Sequence, residues 1–199
     1  IYLNKGNMFE IPEFPFTKRV NYVLPLHSSY EALFAQYRET HKRNLRKAEA
    51  AALQCTADID VALVIELAKE TLQRLSPITD DHLHRFANVC KAAAAKGKME
   101  TLAITGNGQL LASAVFLYSH QRWYYILVGN HPNGKTNGAS HYLLDRFIHL
   151  HAGTNSSFDF EGSDVRNLAF FYSGFGAHEE YYPALKINRL PKLLRWIKD

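Results

Sequence analysis

The chain is poor in the residues that staple or coordinate a fold. It has 2 cysteines in 199 residues, Cys55 and Cys90, and neither sits in a Cys-x-x-Cys or Cys/His spacing. That excludes a disulfide framework and a zinc site legible from sequence. Both fall at expected core positions, Cys55 on a strand and Cys90 on the apolar face of a helix. They read as reduced thiols of a cytoplasmic protein. No apolar run approaches the ~18–20 residues of a membrane-spanning helix, and no signal-peptide pattern is visible. Repeats and low-complexity tracts are missing as well. The 10 histidines contain no His-Glu-x-x-His; His82 and His84 diverge on a helix, and His141 and His149 are too far apart to pair on one turn, so no metal is expected. Charge is not extreme either: 23 Lys+Arg against 19 Asp+Glu leave a formal +4. This permits an anionic partner without demanding one.

What is present is a globular composition, 47% hydrophobic and 21% charged, long enough for one full domain with a sizeable core. The first residue is Ile1, so the chain reads as a fragment or processed product. Residues 1–19 look irregular apart from a short strand, Ile1–Leu3. A strand follows at Val20–Leu26, with Pro25 at an edge or strand end. Ser28 and Glu31 form a capping-box pattern, opening one long helix whose apolar positions run from Tyr30 to Ala52. "LQCTADI" is a strand. Two amphipathic helices follow, near 60–75 and 80–96, the second closed by Gly97. Then comes an antiparallel meander: "METLAIT", an Asn107-Gly108 type I′ turn, "QLLASAVFLYS", and "RWYYILVGN". The loop "HPNGKTNG" leads into the helix "ASHYLLDRFIHLHA", then a strand at 158–161, a helix near 165–173 and a last strand, "YYPALKINRL". A meander running into a βαβ crossover predicts an α/β (α+β) fold: a mixed, mostly antiparallel twisted sheet with helices on both faces.

Three constellations could carry chemistry. Glycines before a helix expose backbone amides at its positive end, so "GKTNGAS" could bind an anion through Lys135, Asn137, Gly138, Ala139 and Ser140; the alternative is an ordinary capping loop. Asp159 and Glu161 stand two apart on a strand and so face one side, with Phe158 and Phe160 on the other. A buried carboxylate pair has raised pKa values and suits a general base, whereas a strand end at solvent is the plainer reading. The basic helix "RETHKRNLRKAE" could clamp phosphates through Arg43, Arg46 and Lys47, or be a solvated face.

The order of meander, glycine loop, helix, strand and helix resembles the GNAT acyltransferase fold. In that family the loop amides receive the pyrophosphate of coenzyme A at Gln/Arg-x-x-Gly-x-Gly/Ala; the matching stretch here is Lys135 to Ser140. A closer resemblance is to the FemAB-like branch, the aminoacyl transferases of peptidoglycan bridges and their relatives. "YRETHKRNLRKAEAAAL" resembles the basic helix that opens their second GNAT unit, "FDFEG" their Asp-Phe-x-Gly strand, and "FFYSGFG" their Phe-Lys-x-x-Phe-Gly helix end, with Tyr172 in the place of the lysine. The resemblance covers about Val20 to Leu190. It implies a division into residues 1–26, the end of a preceding unit with its linker, and residues 27–199, a GNAT-like domain.

It also implies N-acyl or N-aminoacyl transfer to an amine. The donor would be acyl-CoA or aminoacyl-tRNA, with no tightly bound cofactor. The acceptor would be a small molecule or cell-wall precursor. Asp159 or Glu161 would take the ammonium proton and Tyr172 would protonate the leaving group. Two rivals are an acetyl-CoA-dependent N-acetyltransferase and an inactive domain that binds tRNA or another anionic ligand through the basic helix.

Overall fold

The computed structural model describes Gly6, residues 16–162 and residues 165–185. The expected strand Ile1–Leu3, the far end of the last strand and the terminal tail lie outside these. The described elements are β1 (Phe16–Pro25), α1 (Tyr30–Ala35), α2 (Glu39–Ala50), β2 (Gln54–Ala57), α3 (Val61–Leu75), α4 (Asp80–Ala94), β3 (Met99–Gly106), β4 (Gln109–Ser119), β5 (Arg122–Asn130), α5 (Pro132–Thr136), α6 (Ala139–His151), β6 (Ser157–Asp159), α7 (Arg166–Ser173) and β7 (His178–Leu185).

One seven-stranded sheet runs in the order β2-β3-β4-β5-β6-β1-β7. Every adjacent pair is antiparallel except β5 and β6. The mixed sheet is therefore as expected, with helices on both faces. Side-chain alternation along β4 builds the layers. Ala112, Ala114 and Phe116 join Leu143, Phe147 and Phe158 in the main core. Val115 on the opposite face joins Val64 and Ala68 of α3 and Cys90 of α4 in a second, smaller core. Gly129 lets α3 lie close on that face, since a Cβ there would be 2.7 Å from the Leu67 side chain.

The turns follow their residues. Asn107 and Gly108 both have positive φ, 51° and 73°, as a type I′ turn requires. Gly97 closes α4 in the left-handed region at φ 62°, with Lys98 N–H donating to the Ala93 carbonyl at 2.9 Å, a C′ glycine.

Three expectations need correction. The long helix is two. Ser29, not Ser28, caps α1, accepting from the Ala32 N–H. The chain then breaks at Arg38, which is extended (φ −62°, ψ 148°) and donates its N–H to the Gly174 carbonyl at 2.9 Å. Tyr37 is buried at that break; a tertiary contact has overridden helical periodicity. The loop "HPNGKTNG" contains a short helix, α5, with Pro132 in its first turn. Finally, β1 starts at Phe16 rather than Val20, within the stretch read as irregular; it lies between β6 and β7 and ends at Pro25, the strand-end position expected. Residues 16–25 thus supply an interior strand to the same sheet.

Candidate active site

The sheet splits in its middle. β5 and β6 run parallel but pair only at Arg122↔Ser157, Trp123↔Phe158 and Tyr124↔Asp159. β5 continues to Asn130 on β4 alone. β6 stops because Glu161 and Gly162 are both left-handed, φ 52° and 62°, and turn the chain toward α7. The wedge left between the far half of β5, the start of α6 and α7 is a cavity of about 250 Å³. Tyr125, Asn130, Ser140, His141, Leu168 and Tyr172 are among its walls.

Burial raises the pKa values of both carboxylates, but their surroundings differ. Asp159 is 2% exposed and its oxygens are occupied: Arg122 Nη1 donates to Oδ2 at 3.0 Å, the Glu161 N–H to Oδ1 at 2.9 Å, and the Asn21 amide to Oδ1. Arg122 also forks onto Glu180, at 2.7 and 3.0 Å. Burial nevertheless pushes the Asp159 carboxyl up, against the lowering pull of the Glu161 amide, Arg122 and Asn21. Glu161 lies beyond the end of β6, so strand alternation does not set its direction. Burial, and then the Asp159 charge, push it up to about 7, with Arg122 pulling the other way.

Tyr172 lines the cavity and is 5% exposed. Its ring stacks on Phe160 at 4.8 Å and meets Tyr125 edge-on at 6.4 Å. Burial, then the nearby Glu161 charge, push the phenol above its ordinary range, so it stays protonated. Phe158 and Phe160 are fully buried, as the strand pattern implied.

The glycine loop meets the cavity at one side chain. Lys135 lies on α5, Asn137 is the C-cap of α5, and Gly138 is the left-handed N-cap of α6 (φ 74°). Ala139 is buried in the main core. Ser140 lines the cavity and donates to Asn130 Oδ1 at 2.7 Å. Gly138 is needed for its φ and for space, because a Cβ there would be 2.4 Å from the Asn44 carbonyl oxygen of α2.

That packing brings the basic helix α2 beside α6. Arg43, Arg46 and Lys47 are exposed, Arg46 ion-pairs with Glu39, and Lys47 is near enough to help lower the pKa of His141. The structure therefore brings Tyr172 and Ser140 to the cavity, with Glu161 near enough to Tyr172 to raise its pKa. It sets Asp159 in an ion-pair network on the paired side and leaves the cations of α2 on the outside.

Sequence reasoning missed Tyr125, Asn130 and His141 as cavity residues. Asn130 at the close of "RWYYILVGN", just before the glycine loop, was an available signal. His141 carries no sequence signal for this place, since only the fold brings it against His41 and Phe171. Among the described residues no cluster of three His, Cys, Asp or Glu could hold a metal, and no helix is long and apolar enough to cross a membrane.

A family model described as an acetyltransferase (GNAT) domain matches residues 35–166. No curated protein matches the chain. Among solved structures, FemX is 12% identical with a TM-score of 0.66 over 100% of this chain and 68% of its own. A conserved protein of unknown function from Bacteroides thetaiotaomicron is 13% identical, TM-score 0.62, over 88% and 64%. The C-terminal domain of a putative lysylphosphatidylglycerol synthetase from Agrobacterium fabrum is 12% identical, TM-score 0.53, over 88% and 62%. At these identities the likeness is one of fold, and this chain spans about two thirds of the length of each.

Proposed function

The chain belongs to the acetyltransferase (GNAT) domain family, and on that premise we propose that it passes an activated acyl or aminoacyl group to an amine. The observation that carries this reading is the cavity in the sheet split, bounded by an unpaired strand edge and a protonated phenol. An amine attacks the donor carbonyl; a C–N bond forms and the C–O or C–S bond to the carrier breaks. Backbone N–H groups along residues 125–130 of β5, without a strand partner on the split side, are the oxyanion donors. Glu161, held near neutrality, takes the proton from the ammonium. Tyr172 gives its proton to the leaving oxygen or sulfur. Asp159 anchors Arg122 rather than moving protons.

The loop bears on the proposed donor class. The Asn44 carbonyl oxygen packs against Gly138, and an acceptor oxygen there disfavours a pyrophosphate. That contact supports aminoacyl-tRNA as donor, with Arg43, Arg46 and Lys47 meeting the nucleic-acid backbone. The amine would belong to a small molecule or cell-wall precursor. An acetyl-CoA-dependent reaction is the second reading, supported by Ser140 and the amides at the start of α6, which stand at the cavity wall.

The test is transfer to an amine from aminoacyl-tRNA and, separately, from acetyl-CoA, with Glu161→Gln and Tyr172→Phe alongside the native chain. Loss in both variants supports the assignment. Variants equal to an active native enzyme would show that neither group acts in the reaction.

A further inference from the structure

The cavity wall holds a proton whose position is fixed by a relay running through α2. Asn44 Nδ2 donates to the Thr40 carbonyl at 2.9 Å. A carbonyl only accepts, so the orientation of the Asn44 amide is set. Its second N–H points to His141 Nε2 at 3.3 Å, which makes that nitrogen the acceptor. The neutral His141 ring must then carry its hydrogen on Nδ1. Nδ1 has no hydrogen-bond partner among the described residues, on a ring that lines the cavity. The ring is wedged edge-on against His41 at 4.7 Å and Phe171 at 4.8 Å. His41 is fixed in turn, donating Nε2–H to the Phe171 carbonyl at 2.8 Å.

We propose that His141 presents an Nδ1–H donor to the bound acyl group, holding its carbonyl oxygen against β5 as charge develops there. The role rests on the transferase reading. It deepens that reading by naming a side-chain donor that works beside the backbone amides. Burial, with His41 and Lys47 nearby, lowers the ring to about 4, which keeps it neutral at physiological pH. A neutral imidazole can donate from one nitrogen only, so the tautomer decides whether the site works. Asn44 is a positioning residue, acting through the ring.

The experiment is ¹⁵N NMR of the histidine rings in the full chain, without ligand and then with acetyl-CoA or a non-hydrolysable 3′-aminoacylamido adenosine. The expected free-state spectrum shows His141 as the Nδ1–H tautomer, shifting to Nε2–H or imidazolium in Asn44→Asp, whose carboxylate only accepts. Binding of either probe should move the His141 Nδ1 resonance. In the transfer assay His141→Leu should lose about 100-fold in kcat with KM little changed, and His141→Asn, which keeps a donor near Nδ1, should stay within about tenfold of native. An Nε2–H ring in the native chain overturns the proposal, as does a bound probe that leaves His141 unmoved. If neither probe binds, the transferase reading falls and this role with it. If His141→Leu does not fold, the two native-chain spectra still decide.

Discussion

β5 can be read as two strands joined at Tyr124. Before that residue it is paired on both sides, and its charge is fully matched: Arg122 is shared between Asp159 and Glu180, and Asp159 takes two further hydrogen bonds. After it, β5 loses its β6 partner, and the polar groups nearby face a cavity: Tyr125, Asn130, His141 and Tyr172. The same strand thus holds the sheet together in one half and offers donors in the other. The lesson is that a buried carboxylate beside a site is not evidence of catalysis until its partners are counted. Three donors, from Arg122, Asn21 and the Glu161 amide, hold the Asp159 carboxylate in place.

The comparison breaks most visibly at Arg122. Replacing it by Met removes the guanidinium from beside the buried Asp159 carboxylate, which should cost about 3–5 kcal/mol in urea unfolding. A loss below about 1 kcal/mol, the value of an exposed pair, would mean the network is solvated. On the cavity side the expectation reverses. Glu161→Gln and Tyr172→Phe should each lower kcat by about 100-fold, roughly 2.7 kcal/mol of barrier, while the urea midpoint stays near native. A variant that unfolds instead of slowing would assign its residue to the scaffold.

Gly174 ties α7 to the start of α2, since its carbonyl receives the Arg38 N–H and its Cα faces His41. A Cβ there would lie 2.1 Å from the His41 ring. Gly174→Ala should cost about 1–3 kcal/mol through overpacking and tilt His41 against His141. The measurements are the unfolding midpoint and the ¹⁵N shifts of both rings; an unmoved pair of rings would show that α7 gives way instead.

Much of the frame was legible because it is local. Asn107-Gly108 names its own turn and Gly97 its helix end. The family order of elements could be seen for the same reason. The site was harder because its geometry is made by pairs remote in sequence. Nothing in "FDFEG" says that Arg122 will claim Asp159, or that β6 will end before Glu161. His41 and His141 meet only because α1 and α2 break at Arg38, and that break is a tertiary contact with Gly174. Periodicity ran straight through it, since Tyr37, Leu45 and Ala48 suit one helix as well as two.

The smallest effect is the most specific, because Glu161 and His141 respond to pH in opposite senses. The folded pKa of Glu161 is raised to about 7. The native state holds its proton more tightly than the unfolded chain, so its stabilisation is lost as pH rises from the ordinary carboxylate value toward 7. His141 is lowered to about 4. The unfolded chain takes up that proton first, so stability is lost as pH falls from about 6.5, the free imidazole value, toward 4. Each contribution, discounted for partial solvent access, is about 1–2 kcal/mol, and over pH 4–7 the two oppose each other. Relative to the native chain, His141→Phe should therefore become more stable toward pH 4.5, and Glu161→Gln relatively more stable toward pH 7. Chemical denaturation across that range reads the two differences directly, with the other titrating groups cancelling. Parallel curves for His141→Phe and native protein would mean that the ring is already solvated and free to change tautomer, and the relay through Asn44 would lose its basis.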